Sequence, residues 1–316
     1  MRALVTGGAG FIGSHLSELL LSEGWQVAVI DDLSTGREEN LPPGVEFYRL
    51  DLVDRAGVSR AVQDFRPEVV FHQAAQASVV RSWEAPARDA QVNLVGLLHL
   101  LQASLEVEVK AFVFASSGGV LYGDAEAIPT PETAAKRPLS PYGVAKLAGE
   151  HYLFAFQQIR GLPYIALRYG NVYGPRQDPH GEAGVIAIFG RALLSGEVPT
   201  IYGDGHQTRD FIYVEDVARA NLLAAQALLS GFQGDTLDGA AFNIGTGRET
   251  SVLTIFRELA RLTGFPGEPR FAPPRPGEVR RSALAGAKAA QALGFTPRVS
   301  LAEGLARTVD WLRTAA

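Results

Sequence analysis

Apolar residues come in short, nearly unbroken runs through the first half of the chain, separated by longer stretches of helical spacing. ALVTG (3–7), VAVID (27–31), VEFYRLD (45–51), VVFHQAA (69–75) and AFVFASS (111–117) predict strands buried on both faces. FIGSHLSELLLSEG (11–24), RAGVSRAVQDF (55–65) and DAQVNLVGLLHLLQASLE (89–106) predict the helices between them. Strands fed by crossover helices imply an α/β fold with a doubly wound parallel sheet. YIALRYGNVYG (164–174) predicts a further strand that leaves the sheet.

Beyond that point the rhythm changes. RQDPHGEAG (176–184) is loop-like, VIAIFGRALLSG (185–196) predicts a helix, and 199–229 predicts two short strands and a helix. RFAPPRPGEVRR (270–281) is a basic, proline-rich loop, and SLAEGLARTVDWL (300–312) a closing helix. The expected division is residues 1–168, with a return at about 210–241, against a smaller interleaved α/β domain formed mainly by 169–316.

Composition narrows the function classes. Of 316 residues 47% are hydrophobic and 20% charged, as in packed globular chains, and a length of this order suits one large or two joined domains. A net charge of −5 argues against a nucleic-acid or anionic-membrane partner. There is no cysteine, hence no disulfide, thiolate metal site or cysteine nucleophile. The six histidines are scattered, so no metal is expected. MRALVTGG lacks the apolar core of a signal peptide, and no stretch approaches the roughly 18 apolar residues of a membrane span. The expectation is a soluble cytoplasmic protein.

TGGAGFIG (6–13) joins the first strand to the first helix, with Gly7, Gly10 and Gly13 at intervals of three. Missing side chains permit a tight turn, backbone approach to a pyrophosphate and close helix packing, while the helix N-terminus favours anions. The second strand ends in Asp31, 18 residues beyond Gly13, the context that a Rossmann-type dinucleotide site requires. A carboxylate there suits the ribose hydroxyls of NAD and repels the extra phosphate of NADP, although Arg37 could serve a phosphate. The plainer reading of Asp31 is a strand-end turn residue.

Ser140-Pro141 predicts an N-cap followed by proline at the first helical position, so Tyr142 and Lys146 share one face of a helix. A lysine ammonium, with a positive nicotinamide ring, favours the phenolate and draws the tyrosine from about 10 toward neutrality, where it can act as a base. Alone, such a pair is a common surface feature. Ser116 and Ser117, at the C-terminal end of AFVFASS, give it hydroxyl partners on the cofactor side of the sheet.

TGGAGFIG, Asp31, DL (51–52), HQAAQ (72–76), Asn93, FASSGG, YGVAK and RYGNVYGPR together resemble the extended short-chain dehydrogenase/reductase family, and more narrowly its UDP-glucose (UDP-galactose) 4-epimerase branch. The resemblance runs the full length and includes YGDGHQTRDFIYVEDVA and FNIGTG, assigned there to the sugar-nucleotide half. It implies an NAD enzyme that inverts C4′ of a UDP-hexose through a transient 4-keto sugar. Gly7, Ala9, Gly10, Phe11, Ile12 and Gly13 would then hold the pyrophosphate. Asp31 and Asp32 would take the adenosine ribose, Asp51 and Leu52 the adenine. Ala74, Ala75 and Gln76 would line the path to the nicotinamide, with Asn93, Ser116 and Tyr169 beside it.

Ser117, Tyr142 and Lys146 match the catalytic triad of that family, with Lys146 and Tyr142 also on the cofactor. Asn171, Val185, Tyr202, Arg209, Arg275 and Glu278 match its UDP positions, Ser117 and Tyr142 its sugar contacts. Guanidinium groups suit phosphate oxygens, yet without the resemblance Arg209 and Arg275 read as solvated surface arginines. Related dehydratases carry an Asp-Glu pair directly after the hydroxyl residue, and the decarboxylases a Glu. Here Ser117 is followed by Gly118-Gly119, which leaves epimerisation.

Two positions depart from the pattern. Ala77 stands where many members carry a lysine, and Ser282 matches the gatekeeper of the sugar pocket. A serine there leaves room for a 2-acetamido group, so UDP-GlcNAc/UDP-GalNAc is expected as a second substrate pair; the plainer reading is a small packing residue. The alternatives are a UDP-glucuronate 4-epimerase, another nucleotide-sugar member of the family, or a non-catalytic NAD-binding regulator, which retention of Ser117, Tyr142 and Lys146 argues against. The apolar helices 89–106 and 143–159 suggest a homodimer bundle and could equally be internal core.

Overall fold

Alternate residues of the central strands face two separate apolar layers. On β1 (Arg2–Thr6) Ala3 and Val5 join one buried cluster and Leu4 the other. On β5 (Ala111–Ser117) Val113 and Ala115 face the first, Phe112 and Phe114 the second. Burial on both faces is why these strands read as unbroken apolar runs rather than as alternation. The structure, a computed structural model, describes residues 1–179, 184–274 and 279–314.

With β2 (Gln26–Asp31), β3 (Glu46–Arg49), β4 (Val69–His72), β6 (Tyr164–Tyr169) and β11 (Ala241–Ile244) these strands form a seven-stranded parallel sheet, ordered β3-β2-β1-β4-β5-β6-β11. This is the doubly wound Rossmann-type fold expected from the sequence, and the chain changes direction between β1 and β4. There the strand C-termini open a crevice. Helices α1 (Phe11–Ser22), α9 (Val214–Leu229) and α11 (Ala287–Leu293) cover one face. The other carries α2 (Arg55–Phe65), α5 (Gly96–Glu106) and α7 (Pro141–Arg160). Short helices α3 (Val79–Glu84), α4 (Pro86–Ala90) and α6 (Gly118–Leu121) lie near the crevice.

A third apolar cluster joins α8 (Val185–Leu194), α10 (Val252–Thr263) and α12 (Leu301–Thr314) with β7 (Asn171–Tyr173) and β10 (Phe211–Tyr213), which pair in parallel. Two more small sheets pair β8 (Thr200–Tyr202) with β13 (Arg270–Ala272), and β9 (Thr208–Arg209) with β12 (Thr250–Ser251).

Four expectations change in detail. YIALRYGNVYG does not leave the sheet as one strand: β6 stays between β5 and β11, and only β7 departs, after Gly170. A Cβ at Gly170 would stand 2.8 Å from the Asp210 carbonyl oxygen, so the close crossing there needs glycine. Residues 199–229 hold three short strands, not two. The 89–106 helix starts at Pro86 and widens into a π turn at Gln91–Val95. The first half of FNIGTG, moreover, is the edge strand β11 of the large sheet.

Candidate functional site

The glycine loop lines the crevice where β1 and β4 part. Gly7 has φ +70°, and a Cβ there would lie 2.7 Å from the Ala74 nitrogen; one on Gly13 would lie 2.1 Å from the Gly7 carbonyl oxygen. Gly10 caps α1 without a side chain. The cradle therefore has no room for side chains and presents a helix N-terminus, which fits the pyrophosphate of a dinucleotide. At the end of β2 the Asp31 carboxylate accepts from Ala9 N–H (3.0 Å) and Leu33 N–H (2.8 Å). Burial raises its pKa, against those two bonds. Asp32 is exposed and accepts from Ser34 N–H at 2.9 Å. Asp51 accepts from Val53 N–H (3.0 Å) and pairs with Arg88 (2.9 Å); burial opposes these bonds, yet they hold its carboxyl below the usual range. Leu52 is buried against Gly96 of α5.

The loop after β4 is stitched to the π turn. Asn93 Oδ1 accepts from Gln76 N–H, and Asn93 Nδ2 donates to the Gln76 carbonyl and to Asp89 Oδ1, all at 3.0 Å. Gln76 Nε2 donates to the same Asp89 oxygen at 2.9 Å. Asp89 is 2% exposed and was not singled out by sequence reasoning. Its signal was available: it stands four residues before Asn93, one helical turn away. Ala74 N–H donates to Thr6 Oγ1 (3.3 Å), which keeps this loop against β1.

Ser140 Oγ accepts from Gly143 N–H at 3.1 Å, so the predicted cap exists, and Pro141 follows it. Tyr142 is half-buried in the first turn and Lys146 fully buried in the next. Lys146 Nζ donates to the Ala115 carbonyl at 2.8 Å and lies 5.8 Å from the Tyr142 ring centroid, which brings the pair to the end of β5. Burial lowers Lys146 to about 8, with Asp89 opposing. Burial, then the Asp89 carboxylate, pushes the Tyr142 phenol up. The two influences that set its direction here, burial and the Asp89 carboxylate, both oppose the phenolate, so the expected depression requires the positive charge of the bound cofactor.

Ser117 and Ser116 point to opposite sides of the sheet. A Cβ on Gly119 would lie 3.9 Å from both Ser117 Oγ and Asn171 Oδ1, so these two groups flank one point at the strand end. Ser116 is not brought to this cluster. Its hydroxyl donates to Glu150 at 2.5 Å, and Glu150 forms a fully buried ion pair with Arg168 at 2.6 Å.

Tyr169 closes β6 with its hydroxyl against Asn221 and Gln73, and burial raises its pKa. Asn171 N–H donates to the Asp210 carbonyl at 2.7 Å. Arg209 Nη1 donates to the Thr208 and Val279 carbonyls, both at 2.8 Å. Val185 begins α8, Tyr202 ends β8 partly exposed, and Ser282 is half-buried beside the Arg281–Glu249 pair (2.6 Å). Arg275 and Glu278 lie outside the described residues. Among the described residues no helix is long and apolar enough to cross a membrane.

The likeness to known proteins extends over the whole chain. A family model described as NAD dependent epimerase/dehydratase matches residues 3–245. A UDP-glucose 4-epimerase of Mycolicibacterium smegmatis is 46% identical over 318 residues, covering 99% of each chain. The crystal structure of the Thermotoga maritima UDP-glucose 4-epimerase with UDP-glucose is similar at a TM-score of 0.94 and 50% identity, covering 100% of this chain and 99% of that one. The Thermus thermophilus UDP-glucose 4-epimerase in complex with NAD reaches 0.92 and 48%, with both chains fully covered.

Proposed function

The chain belongs to the NAD dependent epimerase/dehydratase family, and from that premise we propose that it interconverts UDP-glucose and UDP-galactose by inversion at C4′. The observation that carries this reading over elimination is the segment after Ser117. Gly118 and Gly119 stand where dehydratases place their acid pair, so the segment offers no carboxyl group; a Cβ on Gly118 would in addition stand 2.5 Å from Leu284 Cδ1. Bound NAD supplies the group that accepts and returns a hydride at C4′. Gly7, Gly10 and Gly13 hold its pyrophosphate, and Asp31 its adenosine ribose, which selects NAD over NADP.

Tyr142 takes the proton of the 4′-hydroxyl and later returns it, while Ser117 hydrogen-bonds the same oxygen, a contribution typically of about 10²–10⁴-fold. Lys146, buried beside the phenol, favours its anionic form in concert with the positive charge of the oxidised cofactor. Asn171 and Arg209 hold the diphosphate while the 4-keto sugar turns its other face. The sheet layer is the cofactor domain, and the segments after 169 mainly form the sugar-nucleotide domain. Two copies associate through α7 and the π turn that leads into α5, where Val144, Tyr152 and Val95 are exposed apolar side chains.

The test is direct. The purified protein should carry NAD and convert UDP-galactose to UDP-glucose, and Tyr142→Phe should keep the NAD yet lose nearly all turnover. Near-normal turnover in that variant ends the assignment of Tyr142. Ser282 leaves room for the 2-acetamido group, so UDP-GlcNAc should also react; Ser282→Tyr should lower its turnover relative to UDP-galactose, and an unchanged ratio counts against that role.

A further inference from the structure

One carboxylate gathers the second half of the site. Asp210, 1% exposed, stands between β9 and β10. Its Oδ1 accepts from the Thr246 N–H (2.7 Å) and hydroxyl (2.6 Å), and its Oδ2 from the N–H groups of Gly247 and Leu284, both at 3.0 Å. Its backbone carbonyl accepts from Asn171 N–H at 2.7 Å. A Cβ at Gly245 would come within 2.5 Å of Oδ2, so the segments close tightly around it. An ionised carboxylate only accepts and has about four lone-pair sites, which these four donors fill.

Each tethered segment carries part of the site. Asn171 opens β7. Arg209 is the preceding residue and holds the Val279 carbonyl. Leu284 follows Ser282 by two positions, and its side chain sits over Gly118, next to Ser117. We propose that Asp210 is the positioning residue of the sugar-nucleotide end: it sets Asn171, Arg209 and the 282–284 segment against Ser117, and thereby how tightly the nucleotide sugar is held. The nature of the ligand rests on the epimerase reading above; the tethering does not.

Asp210→Asn keeps the volume but turns an NH₂ toward N–H donors. It should retain bound NAD, leave kcat within about threefold, and raise KM for UDP-galactose about tenfold or more, since buried donors lose their acceptor. Trypsin should also cut it faster after Arg280 and Arg281, at the freed segment. Unchanged KM and cleavage, or loss of NAD and kcat at constant KM, would overturn the inference. Should Asp210→Asn fail to fold, Thr246→Val removes a single donor. A KM raised about twofold or more there supports the role, and wild-type KM sinks it. If the wild-type protein does not epimerise UDP-galactose, the epimerase reading falls by itself. Calorimetric UDP binding and tryptic cleavage of the variants then decide, equal affinity and cleavage counting against Asp210.

Discussion

His72 ends β4 with its ring inside the protein, bonded to Thr6 Oγ1 at 2.7 Å and stacked on Phe114. Burial, then the Lys146 ammonium, lowers it to about 3; burial, then Arg176, lowers His15 to about 4. Both are therefore neutral when folded, whereas the unfolded chain takes up protons below about 6.5. Their stabilisation is complete above that value and is lost as pH falls toward 4 for His15 and toward 3 for His72. Within this window each costs about 1.4 kcal/mol per pH unit. Urea midpoints should fall steadily from pH 7 to pH 5, and His72→Gln should flatten that slope; a slope equal to wild type would show that His72 does not contribute. At this scale the sequence made the Tyr142–Lys146 pair and the glycine cradle legible, because both are local patterns. It did not show the direction of the Tyr142 shift, since the groups responsible, Asp89 and the surrounding walls, are distant in the chain.

Helix α7 was legible as an element from its first residues to its last turn. Ser140 and Pro141 open it, and Gly161, in the left-handed region at φ 71°, closes it. Ser140→Ala should destabilise the protein by about 1 kcal/mol, and because Tyr142 lies in the capped turn, kcat should fall with less change in KM. An unaltered melting temperature would argue that the cap is idle. The stretch from α4 to α5 was less readable. Apolar spacing predicted one continuous helix over 89–106, and a π turn inserts only one extra residue into such a pattern. That turn is what carries Asn93 to Gln76 and Asp89, so the irregular stretch is also the one that bears on the site.

At the scale of the molecule, the sheet was legible because crossover helices and two-sided burial leave a strong imprint on sequence. The joints between the sheet layer and the rest were not. His15 Nε2 donates to the Pro175 carbonyl at 2.9 Å, and Arg176 reaches Glu18 at 2.6 Å, 158 positions away. No local pattern announces such pairs. Arg275 and Glu278, matched through the resemblance alone, lie outside the described residues. The proposed association of two copies belongs to this scale as well. Sedimentation should return twice the 33.8 kDa chain mass, and Val144→Glu should shift it toward one copy; a wild-type protein of single-chain mass would exclude the pairing.

The Arg168–Glu150 pair, both side chains wholly out of water, has a consequence in heat rather than in chemistry. At room temperature the desolvation of two such charges offsets most of their attraction, so the pair adds little net stability. Hydration of ions weakens on warming, and the offset shrinks accordingly. The frame behind Ser116 therefore grips harder as temperature climbs, while the apolar layers gain nothing further per unit area.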